Sequence, residues 1–312
     1  MADDVFLAIN SDALYAKSKV YMSRAMARKE EGNLDEYQLW ASLSLELLGK
    51  AALSRQHPCL VVDPVHWQSL FAAAGVIITT DVKTIAGKTL FERLTHLVPR
   101  FDKGVQKFCL DMAERRNAEL HSGDLPFRTM RLEAWEKRYW HAADTILRHV
   151  ASSLEDWLGA AEAASPRQLL EEAAAALDAS IKLRMQVATE WFLGLNRRER
   201  ERLQAVAEDR HPESQAASFP YHYEVIWDVS CPACGCRAFM TGEQVGEIIS
   251  HEPDADGIWE FVDREFEGEE FKCPTCLLSL VGREELEAAG LTDPYADTVQ
   301  REMDYEPDYG ND

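Results

Sequence analysis

The sequence predicts a mainly α-helical protein that ends in a small β-domain built around cysteines. Over residues 1–203, apolar side chains recur at helical spacing between capping residues and glycine stops, and no convincing strand alternation interrupts them. Beyond residue 213 the composition changes, and two Cys-Pro-x-Cys pairs are flanked by short strand-like segments. The 312 residues, 46% of them hydrophobic, suffice for more than one core.

Four parts are expected along the chain. They are a helical domain (1–160), a helical spacer (161–212), a cysteine-bearing β-domain (213–292) with an acidic insertion (243–270), and an acidic, mobile tail (293–312). Asp35 and Pro64 are expected to start two of the helices, and Asn196 to cap a charged one. Including the two that start at Asp35 and Pro64, helices are predicted over residues 11–31, 35–55, 64–74, 89–97, 102–120, 129–158 and 165–194.

The net charge of −21 is concentrated in the last third of the chain. Residues 204–312 contain 26 Asp or Glu and 6 Lys or Arg, whereas residues 1–203 contain 28 and 27. Residues 81–150 are locally basic, with 13 Lys or Arg against 10 Asp or Glu. Because nucleic-acid affinity comes mainly from neutralising phosphates, the acidic surface argues against nonspecific nucleic-acid binding and favours selective binding at a basic cleft.

A short motif, Arg-Asn-Ala-Glu-Leu-His, occupies residues 116–121 at the end of the helix predicted over 102–120. Arginine binds phosphate through a bidentate fork, and histidine titrates near neutrality, so the pair suits phosphodiester chemistry. On one helix Arg116 lies about 140° from His121, whereas Asn117 and His121 share a face. Two copies of this helix end, facing each other across a two-fold axis, would place each arginine beside the other copy's histidine. The alternative is that His121 caps the helix and Arg116 makes surface ion pairs.

The motif and the upstream helix Ser-Leu-Ser-Leu-Glu-Leu-Leu-Gly-Lys-Ala-Ala-Leu (42–53) resemble the HEPN superfamily over residues 10–160. That family is a helical bundle whose Arg-x4-6-His motif forms a composite site in a dimer, and many members are metal-independent endoribonucleases. The resemblance implies that Arg116 and His121 are the catalytic pair and Asn117 the polar residue after the arginine. It also suggests Glu46 as an accessory, whose alternative role is an ion-paired carboxylate. Family members that are targets of adenylylation carry a tyrosine where this chain has Gly123.

The function implied by the resemblance is RNA cleavage without a metal. His121 would act as general acid or base while the 2′-hydroxyl attacks the adjacent phosphorus, and Arg116 would stabilise the transition-state charge. The ends would be a 2′,3′-cyclic phosphate and a 5′-hydroxyl, and the protein would be a stress, toxin or phage-defence effector. Two alternatives stay open: a non-catalytic dimer of the same fold that binds nucleotide or RNA, and a structural adaptor in which the motif has no role.

Four of the seven cysteines form two Cys-x2-Cys pairs, Cys231 with Cys234 and Cys273 with Cys276, separated by 38 residues. Two such knuckles supply four thiolates, the ligand set of a closed tetrahedral zinc site. With strand-like segments at 223–229 and 271–281, the arrangement resembles a zinc ribbon. A structural Zn²⁺ and no catalytic metal are therefore expected.

The sequence also offers alternatives to a zinc site for its cysteines. A redox role would require a βαβ context, which the sequence does not show. Cys236 could replace Cys234 as a ligand, and Gly235 supplies the left-handed residue that such a knuckle often needs. Cys59 and Cys109 lie in apolar, helical surroundings, which indicates inert packing.

The chain is expected to be cytoplasmic, because it has no basic leader and no apolar run long enough to span a membrane. The expected partners are an RNA substrate, a second copy bound through the helical domain, and a protein bound through the acidic β-domain. The tail, with Tyr295, Tyr305 and Tyr309, would mimic nucleic acid and cover the basic cleft.

Overall fold

The computed structural model describes residues 7–219, 224–249 and 259–302. The chain divides into two compact units, Met1–Ala175 and Ala176–Asp312. The division falls within a helix that the sequence analysis assigned to the spacer, so the spacer residues are shared between the two units. The prediction of a mainly α-helical chain with a small β-domain is confirmed.

Helices make up the first unit. The first two are joined by three residues and pack along each other as a hairpin, in which Ser44 Oγ donates a hydrogen bond to the Ser18 carbonyl at 2.7 Å. A 3-10 turn, Pro58–Leu60, follows them. In chain order the helices are α1 (Ser11–Glu30), α2 (Leu34–Gln56), α3 (Trp67–Ala73), α4 (Gly87–Leu97), α5 (Lys103–His121), α6 (Leu132–His149) and α7 (Leu154–Leu158).

Two helix starts differ from the prediction. Asn33, not Asp35, caps α2, because its side-chain oxygen accepts the Glu36 N–H at 3.3 Å. Asp35 lies instead in the first turn, where its charge faces the positive end of the helix dipole. Pro64 does not start α3, since the residues after it form a turn and the helix begins at Trp67.

The single helix expected over residues 129–158 is two helices, α6 and α7. Between them Ala151 has a φ of +54°, a left-handed conformation that cannot continue a right-handed helix. Ser153 then caps α7 by accepting the Asp156 N–H at 3.1 Å. The break directs Trp157 into the core, where its Nε1 donates to Ser18 Oγ at 2.9 Å.

The core of the first unit is rich in aromatic residues. Burial of one such side chain contributes about 2–3 kcal/mol. The core also contains a buried carboxylate, Glu136, which accepts hydrogen bonds from Tyr37 (2.7 Å) and from Lys29. The largest fully buried side chains here are Tyr37, Phe91, Phe101, Phe127, Trp135, Tyr139, Trp140 and Trp157.

Helix α8 (Ala160–Gly194) begins at Ala160, whereas the sequence predicted a start at Ser165. Gly159, with a φ of +97°, ends α7, and α8 follows it directly. Pro166 therefore lies inside the second turn of α8, where it removes one backbone hydrogen bond. Helix α9 (Arg197–Glu208) is capped by Asn196, as predicted.

The second unit contains an antiparallel sheet. It follows a 3-10 segment, Pro212–Ser218. The strands are β1 (Ile226–Ser230), β2 (Arg237–Ile249), β3 (Trp259–Lys272), β4 (Ser279–Val281) and β5 (Tyr295–Glu302). They lie in the order β1-β2-β3-β4, and β5 pairs with the first part of β3. Helix α10 (Arg283–Ala288) lies between β4 and β5 in sequence.

The acidic insertion expected over residues 243–270 contributes most of a long β2–β3 hairpin, which pairs from Phe239↔Lys272 to Ile249↔Val262. The register shifts at Gly242, where a Cβ atom would lie 1.7 Å from the backbone oxygen of Glu267. Only glycine permits this close approach of the two strands. The acidic residues are therefore mostly strand residues of the sheet.

Part of the expected mobile tail is ordered, which corrects that prediction. Residues 295–302 form β5, and Arg264 of β3 holds Asp297 of β5 with two hydrogen bonds, at 2.9 and 2.7 Å. Tyr295 stacks on Trp227, with ring centroids 5.0 Å apart. Tyr305 and Tyr309 lie outside the described residues. None of the helices in the described ranges is long and apolar enough to cross a bilayer.

Candidate functional site

Helix α5 carries the Arg-x4-His motif on two different faces. Asp102 caps the helix by accepting the Val105 N–H at 2.8 Å, and the buried face includes Met112 and Ala113. Arg116 continues that buried face, four residues after Met112. Because one continuous helix contains both residues, Arg116 and His121 of the same chain lie on different faces, as their spacing predicts.

Arg116 is bound within the helical bundle. Its Nη1 lies 2.6 Å from Oε2 of Glu46 on α2, and the other oxygen of Glu46 lies 3.0 Å from Nζ of Lys50. Lys50 in turn donates to Thr84 Oγ1 at 3.2 Å. The side chains of Arg116, Glu46 and Lys50 are only 12%, 16% and 11% exposed, so these charges interact largely away from water. We call Arg116, Glu46, Lys50 and Thr84 the arginine network.

The carboxylate of Glu46 is stabilised in its ionised form. Burial by itself raises the pKa of Glu46, but Lys50 and Arg116 lower it by charge attraction and hydrogen bonding. The cations prevail, and the pKa of Glu46 lies below its ordinary value. The sequence resemblance named Glu46 as an accessory; in this geometry it is an ion-paired carboxylate.

Gly87, the first residue of α4, lies beside the arginine network, at contact distance from Ala113 and Glu46. A Cβ atom at that position would lie 3.4 Å from the Cβ of Ala113 and 3.8 Å from Glu46 Oε2. Arg116 Nε and Glu119 Oε2 are buried without a hydrogen-bond partner among the described residues. The network is thus satisfied at the Nη1 end of Arg116 but not at Nε.

His121 and Asn117 lie on the solvent side of α5. Both are exposed, and His121 is the last residue of the helix. The Ala118 carbonyl, in the last turn of the helix, accepts hydrogen bonds from the Ser122 N–H at 2.9 Å and from Ser122 Oγ at 2.8 Å. This carbonyl is therefore capped by Ser122 and not by His121. Within the described parts of the chain, neither side chain makes a hydrogen bond or an ion pair. An imidazole and an amide are therefore accessible together, on a face that Arg116 does not share.

Sequence reasoning missed Lys50 and Thr84. The signal for Lys50 was present, because Glu46 and Lys50 are four residues apart on one predicted helix, the spacing of an ion pair. Thr84 lies on a connecting segment between α3 and α4, and no local pattern relates it to α2. The polar set of this site therefore includes two residues beyond the motif.

The four predicted cysteines converge in the second unit. The Sγ atoms of Cys231 and Cys276 are 3.6 Å apart, as are those of Cys234 and Cys273, and all four lie within 4.8 Å of one another. Sulfur ligands about 2.3 Å from a tetrahedral metal would be roughly 3.8 Å apart, so the cluster fits a metal ion such as zinc. A disulfide, at about 2.05 Å, is excluded by these distances.

The two knuckles have the same backbone geometry. In the first, the Cys231 N–H donates to the Cys236 carbonyl and the Gly235 N–H to the Cys231 carbonyl, both at 2.9 Å. In the second, the Cys273 N–H donates to Leu278 and the Leu277 N–H to Cys273, at 2.8 and 2.9 Å. The fifth residue of each turn is left-handed, with φ of +70° at Gly235 and +62° at Leu277. Each turn directs two sulfurs to one point.

Helix α8 supports both knuckles within the second unit. Thr189 Oγ1 donates to the Ala233 carbonyl of the first knuckle at 2.9 Å, and Arg184 donates to the Ser279 carbonyl just after the second. Arg184 also pairs with Glu285 of α10 at 3.0 Å. The positions of the sulfurs are thus fixed by a helix as well as by the sheet.

The thiols alter one another's acidity. Hydrogen bonds from Cys231 and Cys234 lower the pKa of Cys273, whereas the hydrogen bond with Cys234 raises the pKa of Cys231. One thiolate therefore makes the next thiol harder to ionise, and four thiolates together need a shared cation. This donor set suits a soft divalent metal.

The remaining cysteines do not join the cluster. Cys236 is buried, but its sulfur contacts the Cys234 carbonyl at 3.9 Å and is not among the four converging sulfurs. Burial raises the pKa of Cys109, which keeps it a neutral thiol in the helical core, and Cys59 is partly buried.

Comparison with known proteins adds no family to these observations. No protein-family model, no curated protein and no solved structure matches the chain.

Proposed function

We propose that the chain is a metal-independent endoribonuclease of the HEPN type that acts as a homodimer on RNA. The observation that carries the proposal is the C-terminal end of α5, where His121 and Asn117 are accessible without a protein partner and Arg116 is held one turn earlier on a second face. A cation, a titratable ring and an amide are the groups that a phosphodiester cleavage requires.

In the proposed reaction, His121 takes the proton of the RNA 2′-hydroxyl as that oxygen attacks the adjacent phosphorus. Arg116 of a second copy stabilises the charge on the phosphorane-like transition state, and Asn117 orients the phosphate oxygens. The protonated His121 then gives this proton to the leaving 5′-oxygen, so the products are a 2′,3′-cyclic phosphate and a 5′-hydroxyl. Glu46 positions Arg116 through the contact at 2.6 Å. DNA is not cut because it lacks the attacking hydroxyl.

The cysteine cluster holds a structural Zn²⁺ in this proposal, with Cys231, Cys234, Cys273 and Cys276 as ligands. Four thiolates leave no coordination position for water, so the ion stabilises the β-domain and takes no part in cleavage. The β-domain resembles a zinc ribbon, and its acidic surface suits a protein partner. Free thiols persist in the cytoplasm, where we place this effector of stress, toxin or phage-defence type.

A second candidate function is favoured by the arginine network itself. Because Glu46 already compensates the charge of Arg116, the guanidinium offers less attraction to a phosphate than a free arginine. A non-catalytic dimer of the same fold, which binds nucleotide or RNA and uses the β-domain for protein contacts, would tolerate that compensation.

RNA cleavage by the purified full chain tests the proposal. Wild type, His121→Ala and the control His96→Ala are incubated with total RNA and tRNA in EDTA, and the new termini are identified. His96 is a matched control, because it is exposed in the last turn of α4 as His121 is in that of α5. We expect cyclic-phosphate ends from wild type and His96→Ala, and a loss of about 100-fold or more in His121→Ala. Zinc content measured afterwards shows whether EDTA has removed the structural ion.

A mixing experiment tests whether the site is composite. Arg116→Ala and His121→Ala are each inactive, but a mixed dimer has one site with both residues intact. Mixing equal amounts should restore roughly a quarter of wild-type cleavage, because half of the dimers are mixed and each has one of two sites. Cleavage by His121→Ala at the wild-type rate contradicts the proposal, and RNA binding without cleavage by any chain supports the second candidate.

A further inference from the structure

A group of cations and aromatic rings lies on α1 and α2, away from the arginine network. Helix α1 contains five Lys or Arg and two Asp or Glu, a net charge of +3 in a chain of net charge −21. Lys17 and Arg24 of α1 are exposed, and the rings of Tyr21 on α1 and Trp40 on α2 are partly exposed. We call these four residues the cation–aromatic patch.

The four side chains of the patch follow one another in contact. Lys17 Nζ lies 5.6 Å from the centre of the Tyr21 ring. The guanidinium carbon of Arg24 lies 5.6 Å from the Tyr21 ring and 5.0 Å from the Trp40 ring. The two rings meet edge to face, with centroids 5.2 Å apart. Spacings of four and three residues place the α1 members on one face of that helix, beside Trp40.

The cations of the patch are not compensated by carboxylates. Within the described ranges, neither Lys17 nor Arg24 makes an ion pair. Arg28, one turn after Arg24, differs, because Glu31 and Glu36 lie 2.6 and 3.6 Å from its guanidinium nitrogens. The patch therefore combines positive charge with aromatic rings and lacks the internal anion that Arg116 has in Glu46.

The segment 81–150, where the composition predicts a basic cleft, uses several of its cations within the unit. Arg116 and Arg148 pair with carboxylates, each at 2.6 Å. Arg93 donates to the Leu60 carbonyl at 2.6 Å. Composition therefore overstates the positive charge that this segment offers to a phosphate, and the α1 cations become the stronger candidates for nucleic-acid contact.

Single-stranded nucleic acid has the chemistry that fits the patch. Its phosphates supply an anion for each cation, and its unstacked bases supply rings for the aromatic side chains. Base–aromatic stacking is stronger than a cation–aromatic contact at an exposed site, so a base can replace Arg24 over the Trp40 ring. The displaced guanidinium is then available to a phosphate. A duplex hides its base faces, and an acidic peptide would use the cations but not the rings.

We propose that the cation–aromatic patch binds single-stranded RNA outside the cleavage site. Trp40 precedes Glu46, the partner of Arg116, by six residues of α2, which is about 9 Å along the helix. A strand of a few nucleotides held on the patch would therefore reach the arginine network. RNA is the natural ligand because of the proposed function, on which this inference rests, whereas binding itself requires no cleavage.

Fluorescence anisotropy of the full chain with a labelled short oligouridylate and a labelled short oligothymidylate tests this inference. The DNA strand lacks the 2′-hydroxyl and is not cut, so its binding is measured apart from cleavage. Trp40→Leu should raise the dissociation constant of both strands about 10-fold, because one stacked base is lost while an apolar side chain is kept. Its salt dependence should stay that of wild type.

The cations of the patch are tested by Lys17→Ala/Arg24→Ala. Each lost phosphate contact should reduce the slope of log affinity against log salt by about 0.7, so the double variant should reduce it by about 1.4. Both side chains are exposed and alanine favours helix, so α1 should stay folded, which circular dichroism checks.

The matched control is Arg198→Ala/Arg202→Ala, which removes two exposed cations four residues apart on α9. Its affinity and salt dependence should equal those of wild type. Absence of binding to either strand, wild-type affinity in Trp40→Leu, an equal loss in the control, or tighter binding to duplex RNA overturns the inference. Binding through the patch without any cut keeps the inference and removes the proposed function alone. Cleavage with unchanged affinity in both patch variants removes the inference alone.

Discussion

The arginine network and the cysteine cluster bring distant segments together by different means. In the arginine network the partners neutralise one another, since Glu46 is shared by Arg116 and Lys50. In the cysteine cluster four sulfurs converge within 4.8 Å and offer one another only weak hydrogen bonds. A site that compensates its own charges does not specify a ligand, whereas a set of converging donors of one kind does.

This difference sets what each site contributes to its unit. The first unit, called the helical unit from here on, has a large aromatic core, so loss of the arginine network should weaken this unit without unfolding it. The second unit, called the sheet unit from here on, combines the short strands β1 and β4 with the long β2–β3 hairpin. The two cysteine knuckles connect β1 to β2 and β3 to β4 at one end of the sheet. The largest effects are therefore expected at the cysteines, and smaller ones at the arginine network and at single backbone positions.

Replacing Cys234 by Ser should have the largest effect. Structural zinc sites contribute about 10–16 kcal/mol of apparent binding free energy at neutral pH, so loss of one ligand should unfold the sheet unit while the helical unit stays folded. Metal content per chain and hydrogen exchange over residues 226–302, compared with 11–158, measure this. Cys236→Ser is the matched control, because Cys236 is buried beside the cluster without belonging to it. Equal metal content in both variants would show that Cys234 is not a ligand.

Removing Glu46 should destabilise the helical unit by about 2–4 kcal/mol, because Glu46→Ala leaves Arg116 and Lys50 without their buried counter-charge. Urea unfolding followed by circular dichroism measures the change. The control is Glu92→Ala, whose partner Lys88 is exposed at 3.9 Å and should contribute less than about 0.5 kcal/mol. A Glu46→Ala chain as stable as Glu92→Ala would show that the network is energetically neutral.

The same carboxylate predicts a pH dependence. The pKa of Glu46 is lower in the folded chain than its ordinary value, so its stabilising effect is complete above the ordinary value and is lost as the pH falls through the folded pKa. The stability difference between wild type and Glu46→Gln should therefore be constant near neutral pH and shrink below about pH 4. A difference that grows on acidification would reverse the sign of the assigned shift.

The sequence predicted best what is decided locally. The four converging cysteines and the left-handed turn at Gly235 follow from a spacing of a few residues, and the Asn196 cap from a helix-start pattern. The break at Ala151 could not be predicted, because alanine favours helix. In the structure the helix end is closed locally around left-handed Ala151, where the Ser152 N–H donates to the Leu147 carbonyl at 2.9 Å. Strand β5 was hidden within the acidic segment 293–312, and the contact of Asp297 with Arg264 that holds it joins residues 33 apart in the sequence. The Thr84 contact of the arginine network was invisible for the same reason.

The two knuckles also differ at their fifth residue, and this difference gives the smallest prediction. At equivalent left-handed positions the first has Gly235 and the second Leu277, whose Cβ makes that conformation cost about 1–2 kcal/mol. Leu277 is 82% exposed, so its side chain contributes little packing within the chain. Leu277→Gly should therefore stabilise the zinc-loaded sheet unit by about 0.5–1 kcal/mol after the greater entropy of an unfolded glycine is included. Gly235→Ala should destabilise it by a similar amount, since no neighbour lies within 4 Å of a Cβ there and backbone strain acts alone. Thermal unfolding of both variants at saturating zinc measures the pair, and a loss of stability in Leu277→Gly would indicate that the exposed leucine is held by a contact outside this chain's described residues.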